Sequence, residues 1–259
     1  MFRNTRTLVW FVVGALGSPL TTAAAELRVW AASSLTESLQ EIAATYEGSG
    51  GEHILFNFGA SSLLARQIQE GAPADLFFSA DEAKMNSLDA QGLLAEGTRR
   101  DRLSNSLVIV VPTDSHLRIS SPEDLTTSAV KRLALADPEA VPAGIYSRTF
   151  LEKKGLWAVL APKVVPAASV RAAMAVVESG DVDAAMVYKT DATVSRKVKI
   201  ACEIPGGTEP PIRYPMAVLK RARDPGAATR LLNYLDSAEA GRVFQRHGFI
   251  VLAHSNPTK

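Results

Sequence analysis

Two stretches of the sequence repeat one pattern, and this near-repeat restricts the possible folds more than any other feature. Residues 61–81 and 169–191 each start with a serine that caps a predicted amphipathic helix. Each then passes a glycine that ends the helix, and continues through an apolar strand to a closing aspartate. The pattern predicts two similar α/β lobes, each with a helix N-terminus that faces one shared cleft. The alternative is a chance likeness between two ordinary helix–strand units.

The first 25 residues have the features of a signal peptide. Arg3 and Arg6 form a positive region, residues 8–20 are apolar but broken by glycine and proline, and Ala23 to Ala25 provide a cleavage site. We expect export to the periplasm and cleavage near Ala25. An uncleaved membrane anchor is the alternative, although no basic segment follows the apolar run.

Charge and cysteine content exclude several classes of protein. Removing residues 1–25 lowers the formal net charge from +1 to −1, so the mature chain lacks the basic surface that binds nucleic acid or anionic membranes. Cys202 is the only cysteine, and it lies in an apolar strand-like run. We therefore expect a buried thiol and no internal disulfide.

Predicted strands and helices alternate along the chain, which indicates mixed, mostly parallel sheets covered by helices on both faces. The apolar runs Leu107–Pro112 and Ile212–Leu219 flank the second set of elements and predict a two-strand hinge. The predicted lobes are residues 26–107 with 217–259, and residues 108–216.

Some helix boundaries can be predicted from capping residues. Ser33 or Ser34 is expected to cap the first helix, and Asp81 the third. Residues 227–248 are expected to form one continuous helix that is followed by a frayed tail.

Three loops at strand-to-helix junctions have the composition of an anion site. Residues 31–35 and 59–63 combine small residues with serines, and residues 137–146 place Pro-Ala-Gly before a helix. Exposed N–H groups and the helix dipole favour an anion there. Hydroxyl and amide donors without a carboxylate suit a tetrahedral oxyanion that is fully deprotonated. The alternative for each serine is an ordinary helix cap.

Motifs of catalysis are scarce in this sequence. It has no nucleophile elbow, phosphate-binding loop or zinc-binding helix motif. The four histidines have no metal-ligand spacing. Arg66 and Arg171 are the basic residues nearest the predicted site, and ion pairs on helix surfaces are the expected role of both. We therefore predict a binding protein rather than an enzyme.

Seven segments together make the mature chain resemble the periplasmic molybdate-binding proteins of ABC importers. They are AASSL, FGASSLLARQIQEGAPADLFFSAD, NSLVIVVP, DPEAVPAGIY, VRAAMAVVESGDVDAAMVYKTDA, RYPMAV and FQRHGF. The resemblance implies a type 2 periplasmic-binding-protein fold that closes around molybdate or tungstate. It also implies a monomer without a cofactor that delivers the anion to a membrane permease driven by a cytoplasmic ATPase.

The resemblance also implies a set of ligand residues that hold molybdenum as its oxyanion. They are the hydroxyls of Ser34, Ser61 and Tyr188 and the backbone amides of Ala143 and Val170, with Ser33 and Ser62 as additional candidates. The sequence FGASS departs from relatives that place a glycine after a serine pair, which leaves the choice between Ser61 and Ser62 open.

Three other functions remain open from the sequence. The nearest is binding of another oxyanion such as sulfate, thiosulfate or phosphate. An exported serine hydrolase is a second, although no histidine lies in the three loops to act as its base. The third is a metal-cation site built from Tyr188, Tyr146 and Asp191.

Overall fold

The computed structural model describes residues 26–204 and 209–253. The predicted signal peptide, residues 1–25, lies outside these ranges. Among the described residues, no helix combines the length and the apolar character needed to cross a membrane.

Strands and helices alternate through most of the described chain, as the sequence predicts. The strands are β1 Glu26–Ala32, β2 His53–Gly59, β3 Leu76–Phe78, β4 Arg100–Ser104, β5 Leu107–Pro112, β6 Leu133–Ala136, β7 Val164–Ala167, β8 Ala184–Tyr188, β9 Val198–Glu203, β10 Tyr214–Val218 and β11 Ile250–Val251. The α-helices are α1 Thr36–Gly48, α2 Ser61–Gln69, α3 Glu82–Ala90, α4 Pro142–Lys153, α5 Trp157–Leu160, α6 Val170–Glu178, α7 Lys189–Val194, α8 Pro225–Leu235 and α9 Ala238–Arg246.

The described strands form two mixed sheets with the same internal plan. Their orders are β11-β4-β10-β3-β1-β2 and β7-β6-β8-β5-β9. In each sheet one strand, β1 or β6, has parallel neighbours on both sides. The next strand, β3 or β8, then pairs with an antiparallel strand, β10 or β5. The near-repeat occupies equivalent places, α2–β3 in one sheet and α6–β8 in the other, and the prediction of two similar α/β lobes is confirmed.

The antiparallel strand of each sheet is the one that arrives from the other sheet. The chain leaves the first sheet after β4, passes Asn105 and Ser106, and enters the second sheet as β5. It returns between β9 and β10. These two crossings agree with a two-lobe fold. The boundaries 26–107, 217–259 and 108–216 stay a prediction, and sheet membership puts Leu107 in the second sheet and Tyr214 in the first.

A chain of aromatic rings connects the end of β8 to the core beneath the first sheet. The Tyr188 and Tyr214 ring centroids are 5.8 Å apart, and Tyr214 meets Phe249 edge-on at 5.4 Å. Phe249 then contacts Phe244, which contacts Phe78. Each such pair adds about 0.5–1.5 kcal/mol beyond the area it buries. The two tyrosines are therefore fixed in position by rings from both sheets.

The predicted helix caps are partly confirmed and partly wrong. Asp81 and Ser169 accept hydrogen bonds from the backbone N–H groups of Lys84 and Ala172, as caps do. Ser33 and Ser34 instead lie inside a 3-10 turn, and Ser61 is the first residue of α2. Ser34 and Ser61 direct their hydroxyls to groups far away in the sequence, which local capping rules do not anticipate.

The C-terminal region also differs from its prediction. The expected single helix is two helices, because the side chain of Ser237 accepts the N–H of Ala240 and starts α9 anew. The expected frayed tail begins with β11, which pairs with β4, a strand that the sequence pattern did not reveal. Pairing of both strands is long-range, so neither is recognisable from local periodicity.

Candidate functional site

A small cavity lies where the strand-to-helix junctions of the two lobes meet. The cavity volume is about 10 Å³. Sites for drug-sized ligands have roughly 300–1,000 Å³, so this cavity is far smaller. Its lining comes from the three predicted loops, from the ends of β3 and β8 and from the start of α6. The lining residues are Ala32, Ser33, Ser34, Gly59, Ala60, Ser61, Ala80, Val141, Pro142, Ala143, Val170 and Tyr188.

The structure brings all five principal candidates to this cavity. Ser34 and Ser61 lie on the side of the first sheet, and Ala143, Val170 and Tyr188 on the side of the second. Ser33 also lines the cavity, whereas Ser62 does not. Their ligand roles stay a prediction, because proximity alone does not show binding.

Three of the turns that start at the cavity lack side-chain caps. Ala32, Ala60 and Val141 occupy the N-cap positions, and none of them provides a capping hydrogen bond. The first N–H groups of these turns are therefore available to a ligand, and the helix dipole adds partial positive charge there. Alanine and valine at these caps keep the backbone accessible.

The Ser61 hydroxyl is set up as a donor. Its oxygen accepts the backbone N–H of Ala80 at 2.9 Å, and its residue is 1% exposed. Because a backbone N–H can only donate, this bond uses a lone pair of the hydroxyl oxygen and leaves the Ser61 proton free to donate into the cavity.

The Tyr188 hydroxyl is buried and lacks a hydrogen-bond partner within residues 26–204 and 209–253. The residue is 1% exposed and ends β8 at the cavity wall. Burial, followed by the nearby Tyr214, raises the pKa of Tyr188 well above its usual value, so the hydroxyl stays protonated and can donate. A buried polar group without a partner costs about 1–3 kcal/mol, which an acceptor in the cavity would offset.

Charged side chains are kept out of the cavity lining. Arg171 follows Val170 directly, but its guanidinium pairs with Glu37 of α1 and with the fully buried Asp191. Burial raises the pKa of the Asp191 carboxyl to about 7, against the opposing effect of the Arg171 charge. The predicted ion pair of Arg171 is confirmed, although the pair lies between the lobes rather than on an exposed helix face. Arg66 pairs with Glu70 on an exposed face, as predicted.

A cation site finds no support among the described residues. They contain no group of three or more His, Cys, Asp or Glu side chains arranged to hold a metal ion. Asp191, one of the predicted ligands of such a site, is already paired with Arg171. Cys202 is buried, as predicted, and burial raises the pKa of its thiol.

Sequence reasoning missed two polar residues behind the cavity, Asn105 and Tyr214. The Tyr214 hydroxyl lies 3.0 Å from the Ser34 hydroxyl, and the Asn105 amide contacts Tyr214 in turn. Tyr214 is 180 positions from Ser34, so no motif or spacing links the two. A tyrosine at the start of the apolar strand β10, in the segment RYPMAV, is the only local signal.

Comparison with known proteins shows the family of the chain. Residues 27–250 match the family model described as bacterial extracellular solute-binding protein. The chain belongs to this family. It is 38% identical to the molybdate-binding protein ModA of Escherichia coli, over 87% of this chain and 89% of that protein. The resemblance to molybdate-binding proteins is thereby confirmed, as is the prediction of a binding protein rather than an enzyme.

Solved structures show the same fold for this solute-binding protein. The periplasmic molybdate-binding protein of Azotobacter vinelandii aligns with a TM-score of 0.79 at 24% identity, covering 88% of this chain and all of that chain. The sulfate-binding protein SubI of Mycobacterium tuberculosis aligns with a TM-score of 0.75 at 18% identity, covering 86% of each chain. At these identities both likenesses concern the fold alone.

Substituting Gly144 tests how closely the Pro-Ala-Gly turn packs against the end of β6. A Cβ at Gly144 would collide with the backbone oxygens of Ala136 and Asp137, which cannot move without disturbing the end of β6. We expect Gly144→Ala to lower the free energy of unfolding by about 1–3 kcal/mol, measured by urea denaturation.

Gly48→Ala is the matched control for this substitution. Gly48 has no atom within 4 Å of its added Cβ and no positive φ, so the variant is expected to be neutral or slightly stabilised. Equal stability of the two variants would contradict the close approach at Gly144.

Proposed function

We propose that this protein binds molybdate, and tungstate in the same way, and delivers the anion to the permease of an ABC importer. The observation that carries the proposal is the Tyr188 hydroxyl, which has no hydrogen-bond partner in the described part of the chain and is buried at a cavity with neutral donors from both lobes. The 38% sequence identity to the molybdate-binding protein ModA supports molybdate as the anion.

The donor set favours an oxyanion that carries no proton. Only hydroxyl and amide groups supply polar contacts at the described lining, and no carboxylate is there to accept a proton from the ligand. Molybdate and tungstate are fully deprotonated near neutral pH, whereas monohydrogen phosphate needs an acceptor. Selectivity for molybdate over sulfate then depends on cavity size, since molybdate and sulfate have the same charge and shape.

The proposed ligands are the hydroxyls of Ser34, Ser61 and Tyr188 and the amides of Ala143 and Val170. Ser33 is an additional candidate because it lines the cavity, and Ser62 is not included. Molybdenum is held as its oxyanion through these groups, and no cofactor is required. Partial charges of the helix starts balance the dianion without a buried cation.

Closure of the two lobes carries the transport step in this proposal. Ligand contacts come from both lobes, so the anion stabilises the closed arrangement. Arg171 of the second lobe and Glu37 of the first also meet across the closed cleft, with Nη1 and Oε1 3.0 Å apart. The permease, driven by its ATPase, recognises the closed monomer in the periplasm after cleavage near Ala25.

The alternative is a binding protein for sulfate or thiosulfate. The likeness of the fold to SubI shows that this architecture also occurs in a protein described as sulfate-binding. The same donors suit any small oxyanion without a proton.

Thermal unfolding with four anions tests the proposed ligand. The mature chain from Glu26 is dialysed and melted with molybdate, tungstate, sulfate or phosphate. At a free concentration of about 100 times Kd a specific ligand adds roughly 2.7 kcal/mol, which raises Tm by several degrees. We expect the rise with molybdate and tungstate only. A rise with sulfate alone would favour the alternative, and no rise with any anion would contradict both.

Removing single hydroxyls tests the proposed ligands. Ser34→Ala and Tyr188→Phe each delete one donor from a dry site, which is expected to cost about 1–3 kcal/mol, or roughly 5- to 150-fold in Kd. Titration calorimetry with molybdate measures the loss. Ser62→Ala is the control, because Ser62 neighbours the site without lining the cavity. Unchanged affinity in a variant would remove that hydroxyl from the ligand set.

The Arg171–Glu37 pair is expected to slow release of the anion. Glu37→Gln removes a charge that meets Arg171 only when the lobes close, so the dissociation rate should rise while the association rate changes little. The pair is partly exposed, which limits the effect to about 2- to 5-fold. Stopped-flow measurements separate the two rates. Glu70→Gln, which unpairs Arg66 within one helix, should leave both unchanged; an equal effect of the two variants would count against the closure role.

A further inference from the structure

Two buried polar residues outside the cavity lining form a hydrogen-bonded connection to one of its donors. Asn105 lies where the chain crosses from β4 to β5, and Tyr214 is the first residue of β10. Tyr214 is fully buried, and its hydroxyl lies between the Asn105 amide and the Ser34 hydroxyl. Neither residue lines the cavity itself.

The orientation of the Asn105 amide is fixed by its neighbours. Its carbonyl oxygen accepts the backbone N–H of Ser106 at 2.9 Å, so the NH₂ group must face the other way. That group donates to the Thr190 hydroxyl at 2.9 Å and to the Tyr214 hydroxyl at 3.2 Å. Thr190 follows β8 of the second sheet, so Asn105 holds Tyr214 at a defined place between the lobes.

The direction of the remaining hydrogen bond follows by elimination. The Asn105 NH₂ group can only donate, so the Tyr214 oxygen accepts from it. Among the described residues, the acceptor within reach of the Tyr214 proton is then the Ser34 oxygen, 3.0 Å away. Burial raises the pKa of Tyr214, so its hydroxyl keeps this proton. Ser34 accepts from Tyr214 and is left with its own proton to donate into the cavity.

We propose that Tyr214, oriented by Asn105, is a positioning residue that fixes the Ser34 hydroxyl as a donor to the bound oxyanion. The proposal rests on the function given above, in which Ser34 is a ligand. Without the Tyr214 hydroxyl, the Ser34 proton is free to turn away from the anion. Ser61 has the same arrangement, with the Ala80 N–H in place of a tyrosine. In both cases the serine oxygen accepts a hydrogen bond from another group of the protein, and the serine proton is left to donate to the anion.

A double-mutant cycle tests the connection. Tyr214→Phe deletes the hydroxyl and keeps the ring that packs against Tyr188 and Phe249. Titration calorimetry with molybdate is expected to show about 5- to 20-fold weaker binding in this variant. In a Ser34→Ala background the same substitution should have no further effect, because its influence passes through Ser34. A merely structural role would weaken binding equally in both backgrounds.

Tyr46→Phe is the matched control for the cycle. Tyr46 is also a buried tyrosine of the first lobe, and its hydroxyl donates to Glu52 away from the cavity. The control is expected to bind molybdate like the unsubstituted protein. If Tyr214→Phe folds poorly, Asn105→Ala replaces it in the cycle. Asn105→Ala should also weaken molybdate binding, and this loss should vanish in the Ser34→Ala background.

The outcomes separate this proposal from the proposed function. If the unsubstituted protein binds none of the four anions, both proposals fail together. If it binds an anion and Tyr214→Phe binds that anion equally well, only the positioning role is overturned. The role is overturned as well if the loss persists in the Ser34→Ala background.

Discussion

The site depends on buried hydroxyl groups that can donate a hydrogen bond but find no acceptor in the described part of the protein. The Tyr188 hydroxyl is buried without a hydrogen-bond partner among the described residues, and the Ser61 hydroxyl is held so that its proton points away from the Ala80 N–H. Such groups are costly in an empty, dry cavity and favourable around an oxyanion. Binding energy is thereby stored as unsatisfied polar groups rather than as buried charge.

Two sheets with the same internal plan make this arrangement possible. Each presents the ends of its parallel strands, and the helix starts that follow them, at one cleft. β5 and β10 each follow a crossing from the opposite sheet. Asn105 stands at one crossing and Tyr214 at the end of the other, and the Tyr214 hydroxyl contacts both the Asn105 amide and the hydroxyl of the cavity residue Ser34.

The described lining of the cavity carries no charged side chain. Arg171, which follows the lining residue Val170, is paired with Glu37 and the buried Asp191. In the proposed function, a dianion in this cavity would meet dipoles that are fixed in advance and need no reorganisation. The Arg171–Glu37 pair also joins the two lobes directly, and we propose that it adds to the closure of the cleft.

The sequence by itself determined the features that depend on nearby residues. Strand and helix alternation, the caps at Asp81 and Ser169 and the near-repeat of residues 61–81 and 169–191 follow from local periodicity and capping, and motif likeness located the cavity residues. Tertiary structure decided that Ser34 and Ser61 are not caps, that β11 pairs with β4, and that the Tyr214 hydroxyl meets the Ser34 hydroxyl. These contacts join residues that are far apart in the chain. Because such residues meet only when the chain folds, they leave no periodic pattern in the sequence.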